Sequence, residues 1–150
     1  MKEIERKFLI SALPGNLPEG EEIEQTYLGF EPEKRIRRKG KRFFYTEKEG
    51  HGLVRKERER EIDAGEYRRL AECKVGNTIC KTRYLIPVGE HTCELDIYGG
   101  KLAGLTVAEV EFETVDQAER FTPPFWFGEE ITGNKKYSNC YLSMFDIVEK

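Results

Sequence analysis

Polar and apolar residues alternate along much of the chain, in short segments that turn residues separate. Successive side chains of a β-strand point to opposite faces, so alternation with a period of two is typical of strands. The pattern predicts eight strands, at residues 2–10, 22–29, 34–39, 42–48, 53–62, 79–86, 92–98 and 106–113. Frequent glycine and proline turn signals between them predict an antiparallel, strand-dominated domain.

Helices are expected at three places between or after these strands. Asp63 can cap a helix over residues 64–73, and Thr114 with Gln117 fits the capping box of a second helix. A third helix is predicted over about 134–145, where aromatic and aliphatic residues recur at helical spacing. These helices are expected to cover the apolar side of the strands.

Seven of the predicted strands carry charged or polar residues at every second position, so each set shares one face. The sets are Glu3, Glu5 and Lys7; Arg35 and Arg37; Thr46 and Lys48; Arg55, Glu57, Glu59 and Glu61; Lys81 and Arg83; Glu94 and Asp96; and Glu109 and Glu111. The solvated outer faces of an ordinary sandwich would produce the same alternation. However, the sign of the charge segregates by strand, whereas solubility alone favours interspersed charges. A closed barrel of eight strands has an interior wide enough for a ligand, which makes a charged interior the competing interpretation.

The segment 55–61, RKERERE, is charged at every position and fits two structures. As a helix, it would be stabilised by pairs such as Arg55 and Glu59 at i,i+4. As a strand, it needs water on its second face, which carries Lys56, Arg58 and Arg60.

The composition indicates a single folded domain over residues 1–150. Charged residues make up 35% of the chain, yet the net charge is only −3, which argues against non-specific attraction to nucleic acid or membranes. The four cysteines form no C-x-x-C pair, so a zinc site is not expected. Neither a signal peptide nor a membrane-spanning segment is evident, and a reduced, cytoplasmic protein is expected.

The charged faces suggest a metal-bridged polyanion as the ligand. Two carboxylates at i and i+2 on a strand lie about 7 Å apart, and the pairs Glu3/Glu5 and Glu109/Glu111 could converge across a barrel. Hard cations such as Mg²⁺ prefer oxygen ligands and bind substrate phosphates as well. The basic residues that could hold those phosphates are Arg35, Arg37, Lys48, Arg55, Lys81 and Arg83.

Several common catalytic motifs are absent from the sequence. It contains no Walker-type loop, no G-x-S-x-G elbow and no Cys-His signature. An activated water is therefore favoured over a nucleophilic side chain.

A series of short motifs along the chain resembles those of one known family. EIERK at 3–7 resembles the ExExK signature of the CYTH superfamily, also called triphosphate tunnel metalloenzymes. The match continues with Q-x-YL at 25–28, RIR at 35–37, TEK at 46–48, RKERE at 55–59, KTRY at 81–84, ELD at 94–96, EVEF at 109–112, PPFWFGEEIT at 123–132 and KYSN at 136–139. ExExK alone is a weak signal, whereas the ordered set is specific and spans nearly the whole chain.

The resemblance implies an eight-stranded antiparallel barrel, open as a tunnel, and Mg²⁺- or Mn²⁺-dependent chemistry on triphosphates. The family's metal-binding acids match Glu3, Glu5, Glu109 and Glu111, and further tunnel acids match Glu57, Glu59 and Asp96, of which Glu57 and Asp96 are also expected to bind metal. Its phosphate-binding bases match Lys7, Arg35, Arg37, Lys48, Arg55, Lys81 and Arg83, with Lys136 where members often carry arginine. Asn134 departs from the usual aspartate, which questions the cap or ion pair at that helix start. Arg6 lies on the opposite face from Glu5, and a salt bridge at the rim is expected there.

Three functions fit this chemistry. The first is hydrolysis of inorganic tripolyphosphate, and of nucleoside triphosphates as further substrates, by a metal-activated water that Lys81 positions and Glu59 deprotonates. The second is a class IV-like adenylyl cyclase or a thiamine triphosphatase, although no segment supplies an organic pocket. The third is a non-enzymatic polyphosphate-binding module, which would have little need of two carboxylate pairs. An oligomer is possible but nothing in the sequence indicates one.

Overall fold

The computed structural model describes residues 2–50 and 53–143, and within them eight antiparallel strands form a closed barrel. The strands are β1 (Lys2–Leu9), β2 (Glu21–Phe30), β3 (Glu33–Lys39), β4 (Arg42–Glu49), β5 (Val54–Ile62), β6 (Val75–Val88), β7 (His91–Tyr98) and β8 (Thr106–Phe112). Neighbours around the barrel follow the order β1-β5-β4-β3-β2-β6-β7-β8, and β8 pairs with β1. The predicted eight-stranded barrel is confirmed, with β6 beginning earlier than the sequence pattern indicated.

Short hairpins set the register of the barrel strands. Gly40 lies in the two-residue connection between β3 and β4 at a φ of 61°, and Gly89 lies in the equivalent connection between β6 and β7 at a φ of 60°. Tight hairpins need positive φ, and glycine adopts it without a steric cost. Cross-strand pairing then places Arg35 opposite Thr46 and Arg83 opposite Asp96.

Two of the predicted helices form where the capping residues indicated. In α1 (Ala64–Ala71), Asp63 accepts a hydrogen bond from the backbone N–H of Glu66 at 2.8 Å. In α2 (Val115–Arg120), Thr114 accepts from the N–H of Gln117, whose side chain accepts in turn from the N–H of Glu113. Within residues 2–50 and 53–143, no helix is long and apolar enough to cross a membrane.

The third predicted helix, at 134–145, is wrong as a single element. The chain forms a 3₁₀ turn at Lys135–Tyr137 and then a separate short helix, α3, at Asn139–Leu142. Ser138 breaks the run because its backbone is extended and its hydroxyl caps Tyr141. The last two residues of the predicted helix lie outside the described part of the chain.

Apolar side chains cover the outside of the barrel in two layers. On one side, Tyr67 of α1 packs over Ile36 and Ile62. On the other side, α2 and the aromatic segment 121–127 cover the outer residues of β1, β7 and β8. This second layer contains Ile4, Leu95, Ala108, Val110 and Phe112, with Phe121, Trp126 and Phe127 packed against them. The charged face of each strand is therefore directed to the interior.

A third apolar cluster fills part of the barrel interior. Tyr98 and Val107 share a strand face with the charged residues, yet they pack against Ile131, Tyr137 and Leu142 of the C-terminal segment. The interior is consequently charged along part of its length and apolar where this segment covers it.

The segment 128–132 extends the barrel wall beside β1. Only the first residues of β1 pair with β5, from Lys2 to Ile4. Farther along β1, the backbone of Leu9 exchanges hydrogen bonds of 2.8 Å with the 128–129 backbone, and the N–H of Ile131 donates to the carbonyl of Lys7. Residues 128–132 therefore fill the seam that β5 leaves open.

Candidate active site

The barrel brings nearly all of the predicted site residues to one interior surface. The residues on this face are Glu3, Glu5, Lys7, Arg35, Arg37, Lys48, Arg55, Glu57, Glu59, Lys81, Arg83, Asp96, Glu109 and Glu111. Segment 55–61 is a strand, and the residues of its second face, Lys56, Arg58 and Arg60, are exposed to solvent. The charged-interior interpretation is thus the one that the fold adopts.

Lysines from two strands hold carboxylates of β1 and β8. The ammonium group of Lys48 donates to both oxygens of Glu3, at 3.0 and 3.1 Å, and both side chains are buried. Lys7 Nζ lies 3.7 Å from Glu109 and donates to the carbonyl of Tyr137. Burial raises the pKa of Glu109, but the charges of Lys7, Arg83 and Lys81 outweigh it, so the net pKa is lowered.

Asp96 is the buried centre of a cation cluster on β6 and β7. Arg83 binds its two oxygens through Nε and Nη2, at 2.8 and 2.9 Å, and Lys81 Nζ lies 2.8 Å away. Burial lowers the pKa of Lys81 to about 8, because the Asp96 charge offsets desolvation only in part. Both oxygens of Asp96 therefore contact these cations, and its expected role as a metal ligand stays a prediction.

Two buried arginines project from β3 into the interior. Arg37 donates to Glu59 at 2.8 Å, and Thr46 donates to the same carboxylate oxygen at 2.7 Å. Burial raises the pKa of Glu59, but these hydrogen bonds and the arginine charges leave it below its usual value. Arg35 is fully buried, and its pKa is raised because nearby Tyr27 and Glu33 outweigh the cost of desolvation.

The carboxylates at the β1, β5 and β8 seam crowd one another. Burial, then the charges of Glu109 and Glu3, raises the pKa of Glu5 well above its usual value. Burial and a hydrogen bond with Glu3 raise the pKa of Glu57 to about 7. Burial and the Glu3 charge also raise the pKa of Glu111. A bound cation would offset this mutual repulsion and stabilise the charged form of these carboxylates.

These carboxylates suit a hard divalent cation by their chemistry. Mg²⁺ is commonly bound by one or two carboxylates, several waters and substrate phosphates, rather than by a cage of protein ligands. The crowded carboxylates at the seam fit a cation that binds in this way, together with a phosphate ligand. Within 2–50 and 53–143, no group of three or more carboxylate, histidine or cysteine side chains is arranged to hold a metal ion by itself.

A cavity of about 640 Å³ opens beside the lysines and the C-terminal segment. Its charged wall includes Glu5, Lys7, Glu33, Lys48, Arg55 and Glu109. The rest of its wall is partly apolar and includes Phe30, Pro32, Ile131 and Tyr141. A second cavity, of about 390 Å³, lies toward the β6–β7 turn and is acidic, with Glu90, Glu94, Glu111 and Glu113 in its lining.

Lys136 is the predicted site residue that the fold does not bring to the interior surface. Its side chain is exposed, in the 3₁₀ turn before α3. The neighbouring Asn134 accepts a hydrogen bond from the Lys136 N–H at 3.0 Å, so asparagine caps this turn in place of the usual aspartate.

Several interior residues were missed at the sequence level. Glu33 and Lys39 continue the alternation of Arg35 and Arg37 to both ends of β3, so the period-two pattern already indicated that they share the interior face. Gln25 and Tyr27 are fully buried beside these arginines, in the quoted Q-x-YL motif. The cavity wall formed by 131–139 has no local signal, because only tertiary packing brings it there.

Comparisons with known proteins agree with this architecture. The chain is 40% identical over 149 residues to an inorganic triphosphatase of Nitrosomonas europaea, covering 96% of this chain and 98% of that one. It is 32% identical over 146 residues to an inorganic triphosphatase of Acetivibrio thermocellus, covering 94% and 92%. The crystal structure of an inorganic triphosphatase superimposes with a TM-score of 0.71 at 36% identity, covering 95% of each chain. No protein-family model matches the chain.

A closed antiparallel barrel with carboxylates opposed to buried arginines and lysines defines a triphosphate tunnel of the CYTH type. Within that class, the chain belongs to the inorganic triphosphatases, because relatives of this name match almost its entire length. The resemblance drawn from the sequence is confirmed.

Proposed function

We propose that the protein hydrolyses inorganic tripolyphosphate to orthophosphate and pyrophosphate, by attack of water on a terminal phosphoryl group. The observation that carries the proposal is the buried array of arginines and lysines inside a closed barrel. Most of these cations are paired with tunnel carboxylates, but Arg35 and Arg37 each keep a buried Nε that has no hydrogen-bond partner in the described part of the chain. The phosphate oxygens of tripolyphosphate, a linear molecule that suits a tunnel, would supply those partners.

Arg35 and Arg37 would bind the phosphate oxygens at the centre of the tunnel. Each has a buried Nε without a hydrogen-bond partner among residues 2–50 and 53–143. Arginine matches phosphate through two parallel N–H bonds, which makes this pair a specific anion site. Lys7, Lys48 and Arg55 line the large cavity, where they would attract the incoming polyanion.

Glu3, Glu5, Glu57, Glu109 and Glu111 would hold a divalent cation, Mg²⁺ or Mn²⁺, together with the substrate. Such a cation supplies charge neutralisation for phosphates and a bound water of lowered pKa. Asp96 would act through Lys81 and Arg83 instead, because it holds both cations in place.

Lys81 would direct its ammonium group to the terminal phosphoryl group and its attacking water. Glu59 would hold Arg37, because it is hydrogen-bonded to Arg37 and Thr46. A carboxylate of lowered pKa is a weak base, so its geometry favours this supporting role over removal of a proton.

Nucleoside triphosphates are a second candidate substrate class. The partly apolar wall of the large cavity, with Phe30, Ile131 and Tyr141, lies beside the phosphate-binding lysines. An apolar wall next to charged groups suits an organic ring joined to a phosphate chain.

A substrate panel tests the proposal directly. The protein would be incubated with tripolyphosphate, ATP and thiamine triphosphate, with Mg²⁺, with Mn²⁺ and with a chelator. Orthophosphate released fastest from tripolyphosphate, and only with metal, is the expected result. Cyclic AMP from ATP would favour the cyclase instead, and tight binding without turnover in either metal would favour a polyphosphate-binding module.

A further inference from the structure

A compact polar patch lies on neighbouring strands of the tunnel wall. Gln25 of β2 is directly opposite Arg37 of β3, and Tyr27 is directly opposite Arg35. The register of β2 is irregular on both sides of Tyr27. Its pairing with β6 shifts between Gln25 and Tyr27, and its pairing with β3 shifts between Tyr27 and Gly29. Such irregularities re-aim side chains and are frequent next to active sites.

Three polar atoms of this patch are buried without a hydrogen-bond partner among the described residues: Gln25 Oε1, Arg35 Nε and Arg37 Nε. The Gln25 side chain is 0% exposed. Buried polar groups almost always have a partner, and a solitary exception asks for an explanation. Three exceptions on adjoining residues of a ligand tunnel indicate that the partners arrive with the ligand.

The three atoms need two different kinds of hydrogen-bond partner, acceptors for the arginines and a donor for the glutamine. The arginine N–H groups are donors and are satisfied by phosphate oxygens. Gln25 Oε1 is an acceptor, and a phosphate oxygen without a proton would repel it. The amide group of Gln25 already donates to the Tyr27 hydroxyl at 3.4 Å, which turns Oε1 away from Tyr27. The missing partner of Oε1 is therefore a donor that lies next to a bound phosphate.

We propose that Gln25 Oε1 holds and orients the water that attacks the terminal phosphoryl group. The inference rests on the proposed triphosphatase function and adds a water-positioning residue to it. A glutamine that accepts a hydrogen bond from the attacking water is a recurrent device in phosphoryl transfer. Lys81 lies on the neighbouring strand, where Ile23 pairs with Lys81 and Gln25 pairs with Ile79. Gln25 and Lys81 are consequently diagonal neighbours on the same wall.

The step balances without a further reactant. The water oxygen forms a bond to the terminal phosphorus, and the bridging P–O bond breaks with its electron pair on pyrophosphate. One hydrogen of the water stays on orthophosphate, and the other ends on pyrophosphate. Gln25 takes no proton, because an amide carbonyl is only a hydrogen-bond acceptor; it fixes the direction of attack.

Gln25→Met and Gln25→Glu test the assignment together. Methionine keeps the length of the side chain but removes the acceptor, so kcat for tripolyphosphate should fall on the order of 10–100-fold. KM, and the affinity for a methylene-bridged tripolyphosphate analogue measured by calorimetry, should stay within about twofold. Glutamate keeps an acceptor but adds a negative charge beside two arginines, so it should weaken analogue binding about tenfold or more while retaining more kcat than methionine.

A stability control separates positioning from packing. Asp63→Ala removes the capping contact of α1, on the outside of the barrel, and should lower Tm while kcat is unchanged. If Gln25→Met keeps the wild-type kcat, or if kcat, affinity and Tm of both Gln25 variants fall in parallel, the water-positioning role is overturned. If the wild-type protein hydrolyses no triphosphate, the proposed function itself is overturned, and this inference with it.

Discussion

At the residue scale, adjacent side chains of one strand have opposite surroundings. Arg37 is buried in the tunnel and bound to Glu59, whereas Arg38 is directed outward and is 37% exposed. The two residues have the same chemistry and the same backbone neighbourhood. They form a matched pair for measuring the contribution of the tunnel position.

Arg37→Ala should lower kcat/KM for tripolyphosphate on the order of 100-fold, because a buried charge-assisted contact to phosphate is lost. Arg38→Ala should stay within about twofold, since exposed ion pairs contribute little. Steady-state assays of both variants at one metal concentration make the comparison. Similar rates for both variants would contradict the tunnel assignment.

The lowered pKa of Lys81 predicts that triphosphate binding depends on pH. Its pKa of about 8 in the free protein results mainly from burial, and a bound triphosphate should raise it. The complex then carries more protons than the free protein from about pH 8 upward. Binding therefore takes up protons in that range, and affinity falls as pH rises through it.

Calorimetric titrations with the methylene-bridged analogue, in buffers of different ionisation enthalpy, count these protons. Lys81→Arg should show a smaller uptake between about pH 8 and 9.5, because arginine stays charged throughout. The difference between the two proteins removes the contribution of the analogue's own titration. Equal uptake by both proteins would assign it to another group.

At the element scale, Arg6 joins three parts of the chain. Its guanidinium binds Glu130 through two hydrogen bonds and donates to the carbonyls of Ala118 and Phe121. The expected salt bridge is present, with Arg6 Nη2 2.7 Å from Glu130, and Arg6 also forms hydrogen bonds to backbone carbonyls. It fastens α2 and the segment 128–132 against β1, and that segment borders the large cavity.

Arg6→Ala should lower the free energy of unfolding by roughly 2–3 kcal/mol, since several charge-assisted hydrogen bonds are lost together. Arg120→Ala removes only an exposed i,i+4 pair with Asp116 and should cost less than about 0.5 kcal/mol. Urea denaturation followed by circular dichroism measures both. A loss no larger than that of the control would show that backbone hydrogen bonds alone hold the segment.

At the scale of the whole molecule, barrel closure creates the carboxylate site. β1 and β8 pair directly and place Glu5 opposite Glu111 and Lys7 opposite Glu109. Glu57 reaches the same region from β5. The first and last strands of the barrel thus combine residues more than one hundred positions apart in the sequence.

Glu111→Gln should raise the Mg²⁺ or Mn²⁺ concentration for half-maximal activity by about tenfold or more, as loss of a metal-supporting group does elsewhere. Glu119→Gln, on the exposed surface of α2, is the matched control and should leave it unchanged. Metal titrations at saturating tripolyphosphate provide the measurement. An unaltered metal requirement in Glu111→Gln would remove this residue from the proposed set.

The sequence determined the strands, and with them the interior face. Period-two alternation fixes which side chains share a face whatever the tertiary structure is, so Arg35, Arg37 and Glu109 could be grouped before any fold was known. The capping residues Asp63 and Thr114 located two helices for the same local reason. The ordered motifs then indicated the family.

Tertiary structure alone decided which charges meet. Strand order and register bring Asp96 into contact with Lys81 and Arg83, and no local pattern predicted these contacts. Long-range packing also brings 131–139 to the cavity and leaves Lys136 in solvent. Local patterns fix the direction of a side chain because they depend on backbone geometry, whereas partners depend on contacts between residues far apart in the chain.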